Sequence, residues 1–237
     1  MSEPNVGAWQ CLAGIRVVEL GSSVAAPYAA WILGAMGAEV VKIERPGPGD
    51  DARQWGKMFP DGIGSYFHAL NREKQSITVD MSSAEERDWL RNYCITEADV
   101  VIQNMRPGTV KKHGLDADTL RAANPNLIYC NLGAFGNEGP LKDKPGYDPL
   151  MQAYGGLMTI TGEEGRPPIR VGTSIIDMGT GMWCAIGILG ALKRRGDTGT
   201  GCTVDASLYE TAVGWMNNAV ASAAVDPKNP AREGSGA

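Results

Sequence analysis

Histidine is nearly missing from this chain: His68 and His113 are the only two in 237 residues. No GxSxG stands near either one, so a serine–histidine–acid hydrolase has nothing to build on. Both histidines are expected to serve structure. Cysteine is sparse and poorly placed for pairing. Cys11, Cys94, Cys130, Cys184 and Cys202 are odd in number, widely spaced and form no CxxC. That pattern fails both as a metal site and as a disulfide framework, and no metal is expected. Free thiols fit a reducing, cytoplasmic compartment. A basic excess is absent as well: Lys and Arg total 22 against 27 Asp and Glu, for a net charge of −5. The chain as a whole therefore has no nucleic-acid footprint. The longest apolar stretch, Gly181 to Leu192, has 12 residues, which is too short to span a bilayer. The N-terminus, MSEPNVGAWQ, lacks the basic and apolar regions of a signal peptide. Neither nucleic acid nor membrane is an expected partner. GxGxxG is missing too, which removes the dinucleotide fingerprint.

What remains is an ordinary globular composition, 43% apolar and 21% charged, with 31 glycines for tight turns and close backbone approaches. Short β-branched runs recur: IRVVEL at 15–20, VVKI at 40–43, ITVDM at 77–81, DVVIQ at 99–103 and LIYCNL at 127–132. Helical stretches separate them, the first being SSVAAPYAAWILGAMGA with Pro27 near its start. Ser82 and Ser83 head an amphipathic helix. Pro107 opens a short one, and 116–123 forms another. This alternation predicts an α/β fold: a Rossmann-like open, mainly parallel sheet flanked by helices. After Gly133 the pattern changes to a helical segment, with helices at 148–158, 177–192 and 205–224. Residues 1–225 read as one large domain. Residues 226–237 read as a linker or the truncated start of a second domain.

Candidate site residues stand at strand ends and helix starts. GSSVAAP follows the first strand, where α/β sheets bind ligands, and the N–H groups of Val24 and Ala25 can face one there. The alternative is an ordinary tight turn. Arg45 follows the second strand beside a glycine-rich loop and suits a base or a phosphate. Its alternative is a surface ion pair with Glu44 or Asp50. Asn104 and Arg106 end another strand, with Lys111 and Lys112 just beyond. Together with Arg45 they can form a basic rim, or simply a solvated helix face. Asp148 is expected to cap the helix that it heads, leaving Tyr147 free to point into a site. Asp177 is the only charge between Gly172 and Leu192. A carboxylate in such surroundings is either a helix N-cap or a desolvated nucleophile with a raised pKa.

In order along the chain, GIRVVELGSSVAAPYAAWILGAMGAEVVKIERPGPGDDAR, HALNREKQSITVDM, ADVVIQNMRPG, IYCNLGAFG, PGYDPLMQAYGGLMTITG and TSIIDMGTGMWCAIGILGAL resemble the class III CoA-transferase family over residues 12–236. That family includes formyl-CoA transferase, carnitine CoA-transferase and succinyl-CoA-dependent dicarboxylate transferases. The segment 65–77 is most similar to the succinyl-CoA type. The resemblance implies an acyl-CoA donor and a carboxylic acid acceptor, with coenzyme A as substrate and no tightly bound cofactor. It puts the catalytic aspartate on Asp177, which forms an aspartyl anhydride and then an aspartyl-CoA thioester. It puts CoA contacts on Val24, Ala25, Arg45, Val79 through Ser82, Asn104, Met105, Arg106 and Lys112, with Lys144 and Tyr147 in the loop before the Asp148 helix.

The sequence departs from the family's pattern in three places. Val24 stands where formyl-CoA transferases carry a glutamine, which argues against formyl-CoA. Tyr147 stands where racemases of the superfamily carry a histidine, which disfavours a 2-methylacyl-CoA racemase because two-base proton transfer loses one partner. The family's small second domain, together with a glycine-rich loop that covers the site, is expected to be absent from this chain. The family's subunits interlock as homodimers, so either such a dimer or a partner chain supplying the missing half is expected. The competing reading is a non-catalytic CoA-binding subunit or a fragment of a split enzyme.

Overall fold

The computed structural model describes residues 10–226 together with Arg232 and Gly234. The expected linker at 226–237 lies largely outside the described residues, as does most of the N-terminal decapeptide. In chain order the elements are β1 (Arg16–Leu20), α1 (Ala25–Ala35), β2 (Glu39–Glu44), α2 (Ser65–Leu70), β3 (Gln75–Thr78), α3 (Ala84–Thr96), β4 (Val100–Gln103), α4 (Thr109–Lys112), α5 (Ala117–Ala123) and β5 (Ile128–Gly133). They continue with α6 (Asp148–Tyr154), α7 (Leu157–Ile160), α8 (Ile175–Thr198), β6 (Thr203–Ser207), α9 (Leu208–Trp215) and α10 (Asn217–Val225).

The six strands form one sheet in the order β3-β2-β1-β4-β5-β6, and every pairing is parallel. The strand order reverses between β1 and β4, so a crevice is expected at the strands' carboxyl ends. Side chains alternate across the sheet and build a core on each face. Val17, Val40, Val100, Ile102, Ile128 and Cys130 meet α1 and α8 on one side. Val18, Leu20, Val41, Ile43, Val101 and Tyr129 meet Leu90 and Cys94 of α3 on the other. Helix α1 turns small residues inward, with Ala25, Ala26, Ala29 and Ala30 all buried. Its neighbour α8 answers with Gly181, where a Cβ would lie 2.7 Å from the Ala25 carbonyl oxygen. The two helices can approach closely only because these residues are small.

Charge is also buried. Lys42 and Glu19 are almost fully enclosed, and Lys42 Nζ lies 2.6 Å from Glu19 Oε1 and 2.8 Å from Asp50 Oδ2. It donates as well to the Gly21 carbonyl at 2.9 Å. Lys74 Nζ reaches the second Glu19 oxygen at 2.7 Å, with Pro27 O at 2.8 Å and Asn71 Oδ1 at 2.9 Å. Asp50 Oδ1 accepts from the N–H of Ser23, which sits in the left-handed region at φ 69°. The network ties the ends of β1 and β2 to the loop after β2 and to the start of α1.

Several elements differ from the sequence expectation. The run at 203–207 is an edge strand, β6, rather than the start of a helix. Its five residues TVDAS hold one strongly apolar side chain, so pairing with β5 rather than local pattern makes it a strand. The third strand is Gln75–Thr78, two residues earlier than the apolar run suggested, and Val79 lies just past its end, its N–H still donating to the Glu44 carbonyl at 2.9 Å. Pro107 precedes a left-handed Gly108 that starts α4, so it does not open the helix itself. The 12-residue apolar stretch lies inside α8, whose 24 residues are long and apolar enough to cross a membrane by length and composition. One face of α8 is core all the same: Ile176, Thr180, Cys184, Ile188 and Ala191 are buried.

Removing one partner from a buried ion network leaves the others uncompensated. Lys42→Met is expected to lower the unfolding free energy by about 3–5 kcal/mol in urea titrations at pH 7. Lys193→Met breaks an exposed pair with Asp197 and is expected to change stability by less than about 0.5 kcal/mol.

Candidate active site

Helix α8 runs against the strand direction into β6, so its first turn lies at the carboxyl edge of the sheet, next to the start of α1. Asp177 is the third residue of α8. The N-cap position belongs to Ser174, which makes no side-chain capping bond. Asp177 is therefore not a cap. The capping carboxylate comes from another helix: Asp148 Oδ2 accepts from Ile176 N at 2.7 Å and from Asp177 N at 3.1 Å. This corrects the expectation that Asp148 caps its own helix. The cap position of α6 is Tyr147, and Asp148 follows it, buried. Gln152 Nε2 donates to the other Asp148 oxygen at 2.5 Å.

The Asp177 side chain is half-buried and finds no hydrogen-bond donor among the described residues. Burial and the neighbouring Asp148 charge push its carboxyl up to about 7. A carboxylate so placed is poorly solvated and more basic than usual, which suits attack on a carbonyl carbon.

A second feature opens beside the ends of β2, β3 and β4. A cleft of about 620 Å³ is lined by Arg45, Val79, Ser82, Met105 and Lys112. With Asp80 and Met81 of the same Val79-to-Ser82 segment, seven of the residues singled out from sequence thus meet in one place. Arg87 and His113 line it too. Neither was singled out as a ligand residue, because the fold of α3 and α4 alone brings them there. Asp80 also lines the cleft, but Ser82 N and Oγ donate to its carboxylate at 2.8 and 2.7 Å. Arg45, Arg87 and Lys112 give the cleft a cationic wall suited to phosphate. Arg45 also makes an exposed ion pair, and its partner is Asp51 rather than Glu44 or Asp50. Glu44 is taken by Arg53 and Asp50 by Lys42.

The remaining candidates lie elsewhere. Val24 and Ala25 are buried at the start of α1, where the Ala25 carbonyl faces Gly181 of α8. Asn104 clamps the β1–α1 turn, accepting from Ser22 N and donating to Ser22 O, both at 2.9 Å. Arg106 is exposed on the turn before α4. Lys144 is exposed on the connection from β5 to α6, outside the cleft lining. Tyr147 is 63% exposed next to Asp148. His68 pairs with Asp61 at 3.0 Å, a structural role.

A sequence profile described as CoA-transferase family III matches residues 12–237. The chain belongs to this family. It is 41% identical over 215 residues to an acyl-CoA transferase of Fusarium pseudograminearum, covering 87% of this chain and 47% of that protein. It is 38% identical to a succinate–glutarate CoA-transferase of Agrobacterium fabrum, covering 94% of this chain and 57% of that one. A crystal structure of a CAIB/BAIF family protein from Brucella suis superposes with a TM-score of 0.89 at 40% identity, covering 94% of this chain and 60% of the other. The chain spans about half the length of the curated relatives it matches.

Because folding raises the Asp177 pKa, folding favours its neutral form. Stability is therefore full below the unfolded value and falls as pH rises through about 7. Asp177→Asn is expected to match the wild type near pH 4 and to exceed its stability by about 1–3 kcal/mol at pH 8, read from urea midpoints at each pH.

Proposed function

We propose that this family III chain moves coenzyme A from an acyl-CoA thioester to a free carboxylic acid, with Asp177 as the acyl acceptor. The observation that carries this reading is the half-buried Asp177 carboxylate, which meets no hydrogen-bond donor among the described residues and whose pKa is raised by burial and by the Asp148 charge. In the first step an Asp177 oxygen attacks the thioester carbonyl, the C–S bond breaks and CoA leaves as thiolate. The thiolate then attacks the aspartyl carbonyl of the mixed anhydride. That releases the donor acid and leaves an aspartyl-CoA thioester. The acceptor carboxylate attacks this thioester and expels the thiolate again. The thiolate finally takes the acceptor's acyl group and restores Asp177. Each tetrahedral intermediate needs hydrogen-bond donors for its oxyanion.

The cationic cleft of Arg45, Arg87 and Lys112 is assigned to the phosphate-bearing end of CoA. A succinyl-CoA-type donor is favoured on two grounds. Matching relatives include succinyl-CoA-dependent transferases acting on D-citramalate and mesaconate, and Val24 lacks the amide expected of a formyl-CoA enzyme.

Incubating the chain with succinyl-CoA, trapping with hydroxylamine and mapping by mass spectrometry is expected to place a hydroxamate on Asp177, and none in Asp177→Ala. The trapping rate is expected to fall about tenfold per pH unit below 7, because the ionised form attacks. CoA binding without any adduct would overturn transfer and leave a non-catalytic CoA-binding chain. Lys112→Ala is expected to weaken CoA binding about tenfold by calorimetry, with a smaller salt dependence than the wild type.

A further inference from the structure

Gln152 is fully buried on α6 and uses its amide at both ends. Its Oε1 accepts from Val171 N at 2.8 Å, and its Nε2 donates to Asp148 Oδ1 at 2.5 Å. Asp148 Oδ2 meanwhile accepts from the first turn of α8. A continuous chain thus runs from the Val171 backbone through Gln152 and Asp148 to the N–H groups at Ile176 and Asp177. In all three of its own contacts Asp148 is the acceptor. Two neighbouring carboxyl groups have an alternative arrangement, in which they share one proton across a hydrogen bond. Asp177 would then no longer be a free acceptor-only nucleophile. The Gln152 amide works against that arrangement by occupying the Asp148 oxygen that the α8 backbone leaves open.

We propose that Gln152 is a positioning residue: acting through Asp148, it holds that carboxylate on the α8 N-terminus, so that its charge faces Asp177 without a shared proton between them. The inference rests on the proposed role of Asp177 and adds the residue that sets its surroundings. Other titratable groups do not take over the part. On the elements packed against α8, the described residues offer Tyr154 besides Asp148 on α6, Tyr28 on α1, Tyr129 and Cys130 on β5, Asp205 on β6, and Tyr209 and Glu210 on α9. Asp205 is held by Asn131 and Asn137, and Glu210 by Ser207. Asp148 is the charged neighbour that acts on Asp177.

The test labels aspartate side chains with ¹³C at Cγ and follows the Asp177 signal, identified by its loss in Asp177→Asn, against pH. Gln152→Met keeps the volume and removes both amide contacts. Asp148 is then free to take a proton or turn from α8, and the Asp177 midpoint is expected to fall by about one unit, tenfold in proton affinity. Gln152→Asn withdraws the amide by one methylene and is expected to shift the midpoint the same way, which keeps the test open if the Met variant fails to fold. A role limited to filling space leaves the midpoint in place, and an unchanged midpoint in a folded variant overturns the proposal. Failure of the acyl-transfer reading shows separately. A wild-type chain that forms no Asp177 adduct, while its midpoint still responds to Gln152, loses the transferase role and keeps the positioning role. An adduct with an unresponsive midpoint does the reverse.

Discussion

The Lys42 ammonium is buried among carboxylates, and much of the site's architecture follows from keeping it neutralised. Water cannot do so at that depth, so Glu19 and Asp50 must come to it. Glu19 brings the end of β1, and Asp50 brings the loop that follows β2. Once placed, Asp50 also holds Ser23 in a left-handed conformation that a serine adopts rarely. The β1–α1 turn is thereby fixed from one side, while Asn104 grips Ser22 from the other. One buried charge thus determines where α1 begins and how the loop carrying Arg45 leaves the sheet.

The position of α1 in turn decides where Asp177 stands. Small residues on α1 and Gly181 on α8 bring the two helices into backbone contact. That contact sets the first turn of α8 at the carboxyl edge of the sheet, the edge that also carries the cationic cleft. A carboxylate and a cationic wall on one edge suit a long ligand whose two ends do different work. Asp148 completes the arrangement. By capping α8 from another helix it satisfies the N–H of Asp177 and at the same time presses a like charge against its side chain. The same carboxylate thus stabilises the helix and, together with burial, raises the pKa of the residue on it.

Local pattern made much of this legible. The β-branched runs at 15–20, 40–43, 99–103 and 127–132 became strands, because a doubly covered parallel sheet demands continuous apolar runs. Ser83 caps α3 as its position suggested. Arg45 and Lys112 were legible from residue type as members of a basic rim, but Val79, Ser82 and Met105 joined them only through family resemblance, since nothing local joins residues that follow three different strands. Arg87 and His113 gave no such signal. Each reads as an ordinary helix-surface residue until the packing of α3 and α4 turns it toward the cleft. β6 was missed because an edge strand with polar residues at alternate positions owes its form to β5 rather than to its own side chains.

By itself the sequence determined the α/β alternation, the apolar faces of the helices and the isolation of one aspartate in an apolar run. These depend on periodicity and on residue type, which act over a few neighbours in the chain. It left open whether that aspartate was a cap or a nucleophile, because both readings need the same residue at the same helix start. Only the tertiary structure removed the cap reading. Capping is a contact between a carboxylate and backbone N–H groups, and it does not require the two to be close in sequence. With Asp148 brought across from α6 to fill the cap, Asp177 is left half-buried, without a side-chain hydrogen-bond donor among the described residues and beside a like charge.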